Sequence, residues 1–307
     1  MSEKKSYSLS QMVTEQANPN SMNLDLMSVS EILHTINDED KNCALAVEKV
    51  LPLIEEIVNH VVDRFGRGGR ILYMGAGTSG RVAIMDAAEF SPTFGVDAQR
   101  VQARIAGGNT SVTKPQEQRE DNISEGAQTV LEWNPTELDC VIGLATSGKT
   151  PYVISGLKVA RDAGAFTAFI CANPASSEIA DVVVPCITGP EVLTGSTRMK
   201  AGTAQKMILN MISTATMVRL GRTYKNRMSH IAAGNVKLYS RALETLVMCS
   251  DISEDEAKRI LEAADFELPT ALVASIGKCD IKTARNMLSE SNGKVRAAIE
   301  LLGRELL

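Results

Sequence analysis

The sequence lacks the features of a membrane, secreted or metal-binding protein. Its 307 residues contain no apolar run of roughly eighteen residues, the length that a membrane-spanning helix needs. The N-terminus, Met1-Ser2-Glu3-Lys4-Lys5, has no apolar signal segment. The six cysteines are scattered singly, without the close pairs of a zinc or redox site. We therefore expect a cytoplasmic protein with buried thiols, no bound metal and no membrane contact.

Basic and aromatic residues are too few for a nucleic-acid interface. The net charge is -5 at pH 7, so no basic surface is indicated. Six phenylalanines and one tryptophan offer few platforms on which bases could stack. We expect no nucleic-acid partner.

Apolar runs separated by helix-length stretches predict an α/β fold. This spacing is typical of a parallel sheet covered on both faces, and it favours a three-layer α/β/α sandwich with a five-stranded parallel sheet. The predicted strands lie at residues 70–74, 101–106, 140–145, 166–172 and 182–187. The helices predicted between them lie at residues 80–89, 118–131 and 151–163.

Helical segments precede and follow the predicted strands in the sequence. The predicted helices over 29–36 and 45–65 are separated by Asn37-Asp38-Glu39-Asp40, which offers an N-cap to the second. Further helices are predicted over 202–220 and 229–249, and short capped helices follow. The predicted organisation is an N-terminal arm and helix over 1–45, an α/β domain over 46–248, and a small helical domain over 249–307.

Two turns rich in glycine and hydroxyl residues each follow an apolar strand. They read Gly75-Ala76-Gly77-Thr78-Ser79-Gly80-Arg81 and Gly143-Leu144-Ala145-Thr146-Ser147-Gly148-Lys149-Thr150-Pro151. Two such turns in one sheet can bring backbone N–H groups and hydroxyls to a single phosphate at helix N-termini. Together they favour a phosphosugar as the ligand.

Each turn also matches a nucleotide-binding motif. The first satisfies the dinucleotide fingerprint, but the strand that follows ends in Gly107-Gly108-Asn109 without the acidic residue that holds a ribose. The second satisfies the Walker A pattern, but no strand ends in the aspartate that would hold magnesium. We therefore expect neither a dinucleotide nor ATP, and no cofactor.

A third hydroxyl-rich stretch, residues 189–200, follows the last strand and opens a long helix. Arg198 and Lys200 are two cations close together at the strand end, where open α/β sheets bind ligands. They could hold a carboxylate or a phosphate. An ordinary capped helix start would give the same pattern.

These stretches resemble the N-acetylmuramic acid 6-phosphate etherase family, which belongs to the sugar isomerase (SIS) superfamily. The resemblance runs in consistent order through residues 14–206, and Asn235, Lys237 and Leu238 extend it. Its motifs include Thr14-Glu15-Gln16, Asn18-Pro19-Asn20, Asp86-Ala87-Ala88-Glu89, Ile105-Ala106-Gly107-Gly108, Thr150-Pro151-Tyr152-Val153 and Thr194-Gly195-Ser196-Thr197-Arg198-Met199-Lys200-Ala201-Gly202-Thr203-Ala204-Gln205-Lys206.

The resemblance implies a carbon–oxygen lyase of amino-sugar catabolism and cell-wall recycling. It would cleave the D-lactyl ether of N-acetylmuramic acid 6-phosphate, giving N-acetylglucosamine 6-phosphate and D-lactate. The implied route opens the sugar ring, removes the C2 proton, expels lactate and adds water at C3. No metal or other cofactor is implied.

The resemblance also implies two catalytic glutamates. We expect Glu89 to be the acid toward the lactate oxygen and Glu120 to be the base that takes the C2 proton. Two carboxyl groups of different protonation suit this chemistry. Without the resemblance, the acidic segment 114–125 that contains Glu120 would be a solvated helix face.

The predicted substrate-binding residues come from all three hydroxyl-rich stretches. Ala145 stands where the superfamily usually carries a serine, and Lys149 stands where the family often carries arginine. For the phosphate site the resemblance implies Ser79, Thr146, Ser147 and Thr150. We further expect the substrate to be bound by Thr78, Ser196, Arg198 and Lys200.

Helix geometry separates Glu89 from the phosphate turns. A helix unbroken from Ser79 to Glu89 would place the two about 15 Å apart, farther than a sugar phosphate reaches from phosphorus to C3. Either the helix ends early or Glu89 serves a second subunit, and we expect the latter, a homodimer with sites at the interface. Related isomerases open the sugar ring with a histidine, so His230 is a candidate for this role among the three histidines. A surface or core position without a catalytic role is the favoured interpretation.

A sugar-phosphate-sensing SIS regulator is the alternative function. Glucokinase regulatory protein, such a regulator, carries two SIS domains, whereas this chain has room for one. A transcriptional SIS regulator would carry a basic helix-turn-helix, but residues 22–65 hold more acid than base. The C-terminal helices resemble a ubiquitin-associated-like module.

Overall fold

The computed structural model describes residues 12–231 and 236–303 of the chain. Asn235, which extends the sequence resemblance, lies outside these residues. Twelve α-helices lie in the described part. They are α1 (Val29–Glu48), α2 (Leu51–Gly66), α3 (Gly77–Phe94), α4 (Thr110–Thr113), α5 (Ile123–Trp133), α6 (Pro151–Asp162), α7 (Lys200–Arg219), α8 (Val236–Ser250), α9 (Glu254–Ala263), α10 (Leu268–Gly277), α11 (Ile281–Glu290) and α12 (Val295–Leu301).

A five-stranded parallel sheet, flanked by helices, confirms the predicted fold. The strand order is β2-β1-β3-β4-β5, and each strand lies within two residues of its predicted bounds. Every residue of β1, β3 and β4 is buried, as expected for strands that are apolar along their whole length. The strands are β1 (Ile71–Gly75), β2 (Val101–Ile105), β3 (Cys140–Leu144), β4 (Phe166–Cys171) and β5 (Val182–Pro185).

The predicted break at residues 37–40 is wrong. These residues lie inside α1, which begins with a capping box between Ser28 and Glu31. Glu39 points into the interior, where its carboxylate accepts a hydrogen bond from Lys200 Nζ. A tertiary ion pair therefore stabilises a polar run that local pattern would assign to a loop. The helix ends at Glu48, and α2 follows with Pro52 in its first turn.

Other helix bounds also differ from prediction. The helix expected at residue 118 begins at Ile123, because Asn122 caps it through a hydrogen bond from Glu125 N at 3.0 Å. A short 3-10 turn over Glu117–Arg119 precedes it, so Glu120 lies in a connecting segment rather than on a helix. In contrast, α3 runs beyond its predicted end, to Phe94, with Pro92 inside it.

The chain divides into two compact units. The first comprises Met1–Ala87 and Gln99–Ser213 and contains the parallel sheet. The second comprises Ala88–Ala98 and Thr214–Leu307. The three-segment division drawn from sequence remains a prediction.

The second unit has its own apolar core. Its helices α8 to α12 bury Leu246, Leu261 and Leu272 completely. A hairpin of β6 (Thr223–Tyr224) and β7 (Arg227–Met228) precedes them. Residues 229–231 are not helical, so the prediction that a helix begins at residue 229 is wrong. Within the described ranges, no helix is long and apolar enough to cross a membrane.

Candidate functional site

A cavity of about 230 Å³ lies at the carboxyl ends of β1 and β3, within the first unit. Paired parallel strands end at the same edge of a sheet, so the two hydroxyl-rich turns meet there. The cavity is lined by Met12, Thr14, Glu15, Ala76, Gly77, Thr78, Ser79, Glu120, Leu144, Ala145, Thr146, Ser147, Thr150 and Thr197.

The first turn presents the N-terminus of α3 to this cavity. Gly77 has φ +52°, a left-handed conformation that favours glycine, and α3 begins at this residue. Ser79 is buried, and its Oγ donates to Gln205 Oε1 at 2.8 Å. The unpaired N–H groups of a helix start attract an anion.

The second turn presents the N-terminus of α6. Gly148 has φ +73°, and its N–H donates to Ala145 O at 3.0 Å, which closes the turn. Ser147 Oγ lies 3.3 Å from Thr150 Oγ1 and accepts from Lys149 N at 3.2 Å. The Thr150 side chain makes no capping hydrogen bond, so its hydroxyl stays with Ser147 beside the cavity. Hydroxyls and helix N–H groups from two turns are suited to one phosphate.

The N-terminal segment forms part of the cavity wall, which the sequence argument did not assign to the site. Asn173, just beyond β4, holds it through Nδ2, which donates to Thr14 Oγ1 and to Thr146 O, each at 2.9 Å. Gly195 N donates to Thr14 O at 3.3 Å. The motif Thr14-Glu15-Gln16 is part of the family resemblance, and it was the sequence signal that could have assigned this segment to the site.

Among the described residues, two that line the cavity carry a carboxylate. Glu120 is exposed, and its backbone carbonyl accepts from Tyr152 N at 3.0 Å, which fixes its position beside α6. Glu15 is half-buried on the N-terminal segment. None of the chain's three histidines, all described, lines this cavity.

Glu89 does not line the cavity. It is exposed on α3, which continues unbroken past it, so the alternative in which the helix ends early is wrong. Ten residues of helix separate it from Ser79, a rise of about 15 Å. Ser196 and Arg198 also lie outside the lining, although Thr197 between them belongs to it.

Lys200 is buried rather than facing the cavity. It is 2% exposed, and its Nζ donates to Glu39. Burial raises the pKa of Glu39, but hydrogen bonds from Lys200 and Asn20 outweigh burial, and the pKa lies below its usual value. The charge of Lys200 is therefore neutralised inside the fold.

Buried Glu191 caps the start of α7. Its two carboxylate oxygens accept from Lys200 N at 2.9 Å and from Ala201 N at 3.0 Å. Burial raises the pKa of Glu191, against the effect of these two N–H donors. The third hydroxyl-rich stretch, residues 189–200, therefore leads into an ordinary capped helix start, which was the second interpretation of its sequence. Among the residues that the structure covers, no group of three or more His, Cys, Asp or Glu side chains could hold a metal.

This chain is similar to a protein-family model and to solved structures. The family model of the glucokinase regulatory protein N-terminal SIS domain matches residues 51–161. A phosphoheptose isomerase structure from Francisella tularensis covers 62% of this chain and is itself covered over 100%, with 15% identity and a TM-score of 0.45, too low to carry an argument.

Curated relatives are similar over almost the full length. The N-acetylmuramic acid 6-phosphate etherase of Geobacillus sp. (strain WCH70) is 47% identical over 95% of this chain and 100% of its own. The etherase of Vibrio campbellii is 44% identical over 95% of this chain and 96% of its own. With this identity and coverage, the chain belongs to the N-acetylmuramic acid 6-phosphate etherase family.

Proposed function

We propose that this enzyme cleaves the D-lactyl ether of N-acetylmuramic acid 6-phosphate, releasing D-lactate and N-acetylglucosamine 6-phosphate. The observation that carries the proposal is the cavity at the carboxyl ends of β1 and β3, which is lined by the two hydroxyl-rich turns and by the carboxylates of Glu15 and Glu120. Catalysis on this substrate requires a site that binds its phosphate and a group that transfers protons. The phosphate keeps the substrate from crossing membranes, which fits a cytoplasmic location.

The two turns hold the 6-phosphate. Ser147 and Thr150 supply hydroxyls, and the starts of α3, where Ser79 lies, and of α6 supply backbone N–H groups and the positive ends of their dipoles. No lysine or arginine lines the cavity among the described residues. Binding of the dianion therefore relies on oriented N–H and O–H dipoles.

Elimination of lactate requires a base and an acid. Glu120 lies on the cavity wall. In this proposal it takes the C2 proton once the ring is open. Proton transfer by a positioned side chain contributes about 10²–10⁴-fold to a rate. Glu89 protonates the departing lactate oxygen. Water then adds at C3.

Glu89 acts in the site of a second copy of the chain. On its own helix it lies about 15 Å from Ser79, beyond the reach of a sugar phosphate bound at the turns. Its exposed side chain is available to a neighbouring subunit. A symmetric homodimer would then have two identical sites, each with Glu120 from one chain and Glu89 from the other.

The test of activity is incubation with N-acetylmuramic acid 6-phosphate in D2O with EDTA present. We expect D-lactate, and an amino-sugar product that carries deuterium at C2. Absence of lactate would favour the alternative, a sugar-phosphate-sensing regulator that binds without reaction, and lactate without deuterium would exclude C2 deprotonation. Inhibition by EDTA would contradict a reaction without metal.

The test of the shared site is complementation between two inactive variants. Glu89→Gln and Glu120→Gln are each expected to release no lactate, whereas their random mixture regains about a quarter of wild-type activity. Half of the mixed dimers are heterodimers, and each has one intact site. No recovery after subunit exchange would place both glutamates in one chain. Glu48→Gln, at an exposed position on α1, is the matched control and should stay active.

A further inference from the structure

Ring opening needs a proton acceptor that the histidines do not supply. Exposed His34 hydrogen-bonds Ser30 O through Nδ1 at 2.7 Å, and His60 stacks on Phe166 at 4.3 Å. His230 lies in the second unit, where burial lowers its pKa to about 4. The candidate role of His230 in ring opening therefore has no support from the cavity in the first unit.

Glu15 is the other carboxylate in that cavity, and no role has been assigned to it. It ends a 3-10 turn, Val13–Glu15, on the wall of the cavity. Across the described residues, nothing donates a hydrogen bond to its carboxylate and no cation pairs with it. A half-buried carboxylate without a partner in the protein is available to a ligand.

The backbone around Glu15 is held firmly although its carboxylate is not. Thr14 is fully buried and is bound by Asn173 on its side chain and by Gly195 on its carbonyl. Gly195 leaves room for the carboxylate, since a Cβ there would lie 2.8 Å from Glu15 Oε2. The backbone next to Glu15 is thus held by its neighbours, and Glu15 itself lines the cavity.

We propose that Glu15 is the catalytic residue that opens the pyranose ring. Its carboxylate takes the proton of the C1 hydroxyl, the O–H electron pair forms the aldehyde C=O, and the C1–O5 bond breaks. O5 keeps the bonding pair and takes a proton from water, and the hydroxide so formed recovers the proton from Glu15. The step is a balanced isomerisation and returns Glu15 to its starting state. It rests on the proposed etherase function.

Two carboxylates in one cavity allow the two deprotonations to be separate. A group that holds the C1 proton is unable to accept the C2 proton until it has discharged the first. With Glu15 serving C1 and Glu120 serving C2, each remains ionised for its own step. The proposal therefore predicts that the two variants fail at different stages.

Anomer exchange of N-acetylglucosamine 6-phosphate isolates ring opening, because this sugar has no lactyl ether to lose. Exchange between its α and β H1 signals is followed by NMR, and deuterium entry at C2 is followed in D2O. Glu15→Gln should lose the enzyme-catalysed exchange by at least about 100-fold. Glu120→Gln should keep the exchange within a few-fold but lose deuterium entry. Glu48→Gln should match wild type in both.

The outcomes separate this proposal from the function on which it rests. Wild-type protein that releases no lactate contradicts the proposed function. Active wild type with normal anomer exchange in Glu15→Gln overturns the role of Glu15, even if lactate release falls. Circular dichroism and melting establish that the variant is folded. Glu15→Asp, which keeps the charge but withdraws it by about 1.5 Å, should restore part of the exchange.

Discussion

Replacing Lys200 by Met separates a structural role of this residue from the substrate-binding role predicted from sequence. The side chains of Lys200 and Glu39 are 2% and 8% exposed and form an ion pair. Methionine keeps much of the volume but leaves the Glu39 carboxylate buried without its cation. Asn20 Nδ2, at 2.8 Å from Oε1, still donates a hydrogen bond to it.

The expected loss of stability is large. Removing one partner of a buried ion pair lowers the free energy of unfolding by about 3–5 kcal/mol. For a domain of this size the melting temperature would fall by about 6–20 °C. Replacing both residues, Lys200→Met with Glu39→Leu, removes the uncompensated charge, so the double variant should be more stable than Lys200→Met alone.

The pH dependence gives a second readout with a definite sign. In the wild type the pKa of Glu39 is held below its usual value, so its ionised form stabilises the fold above about pH 4.3. This contribution is lost as pH falls through the folded-state pKa. In Lys200→Met, burial without the ammonium should raise that pKa, and protonation then relieves the penalty. The stability gap between the two proteins should narrow in acid.

The assay combines thermal and urea unfolding at pH 7 and pH 4 with steady-state lactate release. A variant that melts like wild type but shows a raised KM would refute this reasoning and assign Lys200 to the substrate. Equal loss of stability at both pH values would refute the role of Glu39.

Three further predictions concern the cavity wall and the core. Asn173→Ala removes the donor to Thr14 Oγ1, so the free energy of unfolding should fall by about 1–3 kcal/mol and kcat/KM should also fall. Unchanged melting and kinetics would contradict the role of Asn173 in holding Thr14 at the cavity wall. Gly195 has φ +76°, and the Cβ added in Gly195→Ala would lie 2.8 Å from Glu15 Oε2. Lactate release should therefore fall about tenfold or more. A wild-type kcat in this variant would show that catalysis does not depend on the position of the Glu15 carboxylate beside Gly195. Burial raises the pKa of Cys171 to about 12, so native protein at pH 8 should not be labelled at this position by a thiol reagent within minutes, as peptide mass spectrometry can check.

Much of the fold was predictable because its signals are local. Buried strands such as β3 are apolar along their length, and the strand ends lie where the apolar runs end. The errors fell where a distant or unrecognised contact overrode the local pattern. The run at residues 37–40 stays helical with Glu39 paired to Lys200, and Asn122 rather than an earlier residue caps α5.

The sequence by itself determined the two hydroxyl-rich turns, their place after β1 and β3, and the family to which they point. Only the tertiary structure decided which charged groups serve the cavity. Lys200 is neutralised by Glu39, 161 positions away, and Thr14 is bound by Asn173, 159 positions away, which brings Glu15 to the cavity wall. Such pairings depend on chain closure over long loops, and no periodicity or spacing within a segment encodes them.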